Sequence, residues 1–79
     1  MSSGVSIVSA GTSAYTIVLD QVNDTLSYVG RAAPQSPTSA PVWQIRRIQT
    51  SGTVLSVTYA SGNDEFTNVW DDRASLEYS

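Results

Sequence analysis

Few side chains in this sequence could do chemistry. The chain has 79 residues, with seven Asp and Glu, four Arg, and no His, Cys or Lys. A Ser-His-Asp relay or a thiolate nucleophile therefore cannot be assembled within one chain, and the remaining hydrolytic design is a carboxylate pair. Asp71-Asp72 and Asp64-Glu65 are adjacent, and in an extended segment adjacent side chains point to opposite faces, so neither pair converges on one substrate. Holding turns and pairing with Arg is the simpler role for them, and no enzymatic activity is expected. Asn63, Asp64, Glu65, Asp71 and Asp72 offer oxygens to calcium, but their spacing matches no calcium loop. Zinc lacks its ordinary ligands. The sequence therefore predicts no cofactor and no metal. Asn23-Asp24-Thr25 fits the glycosylation sequon, with no secretory signal beside it.

The remaining candidates are contact residues. Trp43 and Trp70 are expected in the core, close together, with Gly30 beneath one ring, because so small a domain needs their area. On an exposed face the same indoles would instead support sugar stacking. Tyr78, next to the last residue, is the aromatic best placed for an interface. Arg46 or Arg47 is expected to meet an intersubunit carboxylate, with Asp71 or Asp72 as the intramolecular alternative. In Asp71-Asp72-Arg73, at least one carboxylate is expected to accept from backbone N–H groups or from Arg46, Arg47 or Arg73, fixing the final segment.

These residues need strands to position them. Ser and Thr supply 21 of 79 residues, and period-2 apolar runs recur, with no sustained helical pattern and no helix beyond a turn. Val5 to Ser9 is the first candidate strand, with Val5 and Ile7 on one face; it carries no charge and is a candidate interface edge. Tyr15, Ile17 and Leu19 alternate with Thr16, Val18 and Asp20 as a half-buried strand. Asn23-Asp24 turns the chain, and Leu26, Tyr28 and Gly30 fall in phase on the return. Residues 33–41 contain three Pro and read as an extended crossing loop inside one sheet system. Val42 to Thr50 and Thr53 to Ala60 flank Ser51-Gly52 as a hairpin. Trp43 and Ile45 share a face that Ile48 does not, which calls for a β-bulge at Arg46-Arg47 or for partial cover of both faces. A last short strand holds Leu76 and Tyr78. The expectation is one all-β domain over 1–79: a small antiparallel sandwich or partly open barrel of five to seven short strands.

Charge and length narrow the class. A net charge of −3 and four Arg leave no cationic face for nucleic acid. No run of 18 apolar residues spans a membrane, and the N-terminus lacks a basic leader. Residence in a cytoplasm, or in a particle assembled there, is the simplest expectation. A domain this short, with no disulfide, has a thin stability margin that oligomerisation or docking would widen.

Tyr28-Val29-Gly30-Arg31-Ala32-Ala33-Pro34, Thr38-Ser39, Val42-Trp43-Gln44-Ile45-Arg46-Arg47-Ile48, Tyr59-Ala60-Ser61-Gly62, Phe66 and Val69-Trp70-Asp71-Asp72-Arg73-Ala74-Ser75-Leu76 form one continuous course. It resembles a group of small, mostly uncharacterised proteins encoded by tailed bacteriophages, over about residues 26–78. Gln35 stands where that group has Gly after the Pro, and Tyr59 where it has Trp. The resemblance implies a virion structural component, either head decoration or tail accessory, made in the host cytoplasm. Its implied partners are itself and phage capsid or tail proteins. A carbohydrate- or receptor-binding β module is the alternative.

Overall fold

The computed structural model describes residues 14–79. Val5 and Ile7, and the strand expected around them, lie outside the described residues. The elements are β1 (Thr16–Asn23), β2 (Leu26–Ala32), β3 (Pro41–Ser51), β4 (Val54–Tyr59), β5 (Asn68–Val69) and a 3-10 helix, η1 (Trp70–Ser75). The domain is all-β. β1 to β4 run as an antiparallel meander in chain order, and β5 pairs with the start of β3, whose length exceeds that of its partners. The sheet stays open and does not close into a barrel.

Turn chemistry sets this order. Asn23 accepts from the backbone N–H of Thr25 (2.9 Å) and bends β1 into β2. Gly52 has φ +61°, as the first central position of a two-residue II′-type hairpin requires, and Ser51 pairs with Val54 across it. The hairpin centre is thus Gly52-Thr53, one residue later than the expected Ser51-Gly52. The Pro-rich 33–41 loop is not an extended crossing. It folds as two turns, closed by Ser36 N–H to Ala33 O and Ala40 N–H to Pro37 O, and joins neighbouring strands.

Registers define two faces. Thr16, Val18 and Asp20 of β1, Tyr28, Gly30 and Ala32 of β2, Trp43, Ile45 and Arg47 of β3, and Thr58 of β4 share the front. The core sits there, as Tyr28, Ala32, Trp43, Ile45, Ala60 and Trp70, with η1 laid over it. Trp43 and Trp70 are 1% and 7% exposed, and their rings are tilted with centroids 6.1 Å apart. A Cβ built on Gly30 would lie 2.5 Å from Trp70 Cε3 and 3.3 Å from Trp43 Cε3, so the indoles pack where β2 has no side chain. Each removes on the order of 200 Å² from water, about 5 kcal/mol at 25 cal/mol per Å².

Of the two alternatives for β3, partial cover of both faces holds: no bulge occurs at Arg46-Arg47, both registers run through unbroken, and apolar side chains lie on both faces. Two local expectations are corrected. The segment 70–75 is a 3-10 helix of six residues, longer than a turn. The last short strand is reduced to a single bridge, Ala60 with Tyr78.

Candidate functional site

The sheet's reverse face is its least ordinary feature. Registers align Ile17, Arg31 and Gln44 in one row, Leu19, Val29, Arg46 and Tyr59 in the next, and Gln21, Ser27, Ile48 and Val57 in a third, with Leu55 beyond. Ile17, Leu19, Leu55 and Val57 are 63%, 64%, 62% and 49% exposed. A solvated face of an antiparallel sheet is normally polar. Here both outer strands of the meander turn their larger apolar side chains outward: β1 buries Thr16, Val18 and Asp20 more deeply than Ile17 and Leu19. The half-buried strand is therefore inverted relative to its apolar pattern. The reason lies in front, where Asp20 accepts the Arg73 Nε–H (2.9 Å) and Val18 packs against the core beside Gly30.

Two of the four arginines stand on this apolar face. Arg46 is half-buried at its centre, and its Nε has no hydrogen-bond partner among the described residues. Arg31, its diagonal neighbour on β2, is held rigidly: its Nε donates to Gln44 Oε1 (2.7 Å), and the buried Gln44 donates from Nε2 to the Asp64 carbonyl (2.7 Å). The Arg31 guanidinium also lies 5.1 Å from the Tyr15 ring centroid and 5.9 Å from that of Phe66, whose rings stack on each other. Tyr15 and Phe66, with Ala33, Ser36 and Val42, line a shallow open cavity of about 370 Å³ at this end of the face. Among the described residues the sole ion pair is Arg73 with Asp20, so neither Arg31 nor Arg46 is neutralised there.

The expected contact residues fall in other places. Asp71 and Asp72 are exposed on η1, and among the described residues neither carboxylate accepts a hydrogen bond; Arg73 reaches past them to Asp20. The segment is fixed by Arg73 itself, which also donates from Nη1 to Trp70 O (3.1 Å) and sits 4.6 Å over the Trp70 ring. Tyr78 is not a free interface anchor. Its hydroxyl donates to Arg73 O (2.8 Å), its ring meets Tyr28, and Arg47 lies over it at 4.8 Å. Burial, and then the neighbouring Tyr28, push its hydroxyl up to about 12 against the opposing pull of Arg47 and Arg73. Arg47 is thereby an intramolecular cation, and of the expected interface residues among those described only Arg46 faces the open side. The buried indoles offer no surface for sugar stacking.

Among the described residues no three acidic side chains gather as a metal cage would require, and no helix is long and apolar enough to cross a membrane. The Arg31–Gln44–Tyr15–Phe66 cluster was not legible as a site from the sequence, because its members come from two strands, the residue before β1 and the loop before β5. The pattern Leu55, Val57, Tyr59 and Tyr15, Ile17, Leu19 was the available signal for the reverse face. Comparison with protein-family models, with curated proteins and with solved structures finds no match to this chain.

Proposed function

We propose that this protein is a small structural component of a tailed-bacteriophage virion, of head-decoration or tail-accessory type, that works by protein–protein assembly. The observation that carries the reading is the apolar reverse face, with Ile17, Leu19, Leu55 and Val57 half to two-thirds exposed across the sheet. Covering such side chains gains roughly 1 kcal/mol each, several in sum, for a domain whose own margin is thin. The resemblance of residues 26–78 to small tailed-phage proteins supports the virion setting. Mass spectrometry of purified particles tests it: the protein is expected at a stoichiometric level, and absence from the particle overturns the reading.

The Tyr15–Phe66 cavity favours a second reading, a carbohydrate- or receptor-binding module. Two stacked rings beside a fixed guanidinium suit a sugar ring or a side chain with a neighbouring carboxylate. Glycan-array binding lost on Phe66→Ala, with the fold intact by circular dichroism, would promote it over assembly.

A further inference from the structure

We propose that the occupant of the apolar reverse face is a second copy of this chain, docked front to back, with Asp71 and Asp72 of one copy meeting Arg46 and Arg31 of the next. The inference rests on the assembly reading and names the partner.

Charge complementarity carries it. The protein is acidic overall, at −3, yet the reverse face has two arginines that no described carboxylate neutralises. On the opposite side, η1 covers the front and presents Asp71 and Asp72 to solvent with no described partner. The spacings agree as well. Arg31 and Arg46 are diagonal neighbours on adjacent strands, whose separation is about 7 to 8 Å. Adjacent side chains on a 3-10 helix stand about 120° apart, which splays two carboxylates to a comparable width. Ile17 and Leu19 on β1 and Val57 on β4 flank the cations across the sheet and would help exclude water from the ion pairs, as apolar rims do around interface anchors.

A back-to-back dimer lacks this match. Two copies facing each other through the same surface bring Arg46 and Arg31 against Arg46 and Arg31, which opposes association. Front-to-back docking is heterologous, so repetition generates a ring or a filament.

Sedimentation of the full chain at micromolar concentration tests this, with charge-reversed variants. The wild-type chain is expected to self-associate, more weakly as salt rises. D71K/D72K alters exposed side chains only and is expected to sediment as a monomer. Mixing it with R31E/R46E restores assembly, since each interface in the mixture then pairs opposite charges. Should R31E/R46E lose its native circular dichroism, Leu19→Glu replaces it as the blocked reverse face, and that chain mixed with D71K/D72K stops at a heterodimer. Undiminished association of D71K/D72K overturns the front-to-back arrangement, and so does a wild-type chain that stays monomeric. A monomeric wild-type chain found in purified particles overturns this inference alone. Self-association of a chain missing from particles supports it while removing the virion reading.

Discussion

Replacing Gln35 by glycine should stabilise the protein. Ser36 N–H bonds to Ala33 O across Pro34-Gln35, and Gln35 has φ +68° at the third position of this turn, where a type II turn calls for glycine. An L side chain in the left-handed region costs about 1 to 2 kcal/mol. Glycine removes that strain but enlarges the unfolded ensemble, an opposing effect of about 0.4 to 1 kcal/mol. The Gln35 side chain is exposed and makes no hydrogen bond among the described residues, so nothing else is lost. The net gain is about 0.5 to 1 kcal/mol, or a melting temperature higher by roughly 2 to 8 °C for a domain of this size. Thermal and urea unfolding followed by tryptophan fluorescence measure it, since Trp43 and Trp70 leave the core together. Gln35→Ala, which keeps the strained φ, should stay within about 0.5 kcal/mol of wild type. Ser61, at φ +63°, is a different case, because its hydroxyl bonds Asn68 Oδ1 (3.1 Å) and would be lost with the side chain. A Gln35→Gly chain no more stable than wild type would refute the strain argument.

Gly30→Ala should destabilise by about 1 to 3 kcal/mol through overpacking, because its Cβ would fall 2.5 Å from the Trp70 ring; in a Trp70→Leu background, urea titration should show most of that cost gone. Arg73→Ala loses the Asp20 pair, the Trp70 carbonyl bond and the ring contact, costing about 1 to 2 kcal/mol after allowance for solvent screening. Asp71→Asn and Asp72→Asn should leave monomer stability within about 0.5 kcal/mol; a large loss in either would mean that a carboxylate there is structurally paired. Tyr78 contributes a pH dependence: its folded value of about 12 exceeds the ordinary 10, so its share of stability is complete below pH 10 and is lost as pH rises toward 12. Tyr78→Phe should flatten the stability profile in that window while costing about 1 kcal/mol at neutral pH for the bond to Arg73 O. A Tyr78 that titrates near 10 by ultraviolet absorbance contradicts its burial.

Strand existence was legible because alternation is local: residues 15–20, 26–33 and the hairpin around Gly52 all announce themselves by period and turn residue. Which face each strand buries was not. Alternation says that Ile17 and Leu19 share a side, but what covers the other side is decided by Arg73, 53 residues from Asp20, and by Trp70 settling over Gly30. The phase change within β3 invited a bulge, yet the strand is continuous because Trp43 and Ile45 serve the front while Ile48 serves the back. Tyr78 looked terminal and free, and its bond to Arg73 O is a contact within the last seven residues that no pattern signals. Gln35, after Pro34, has a positive φ, so that position is informative about backbone rather than about function.

On the proposed virion reading, docking through the reverse face can be read out inside the particle by competitive incorporation. Phage are grown with wild-type and Leu19→Glu/Val57→Glu chains expressed together, and the peptide ratio in purified particles is compared with that in the lysate. Both side chains are exposed, at 64% and 49%, so the monomer fold should survive the change. If the reverse face docks, the variant should be depleted at least tenfold in particles, corresponding to about 1.4 kcal/mol of lost docking energy. Equal incorporation of the two chains would contradict docking through that face.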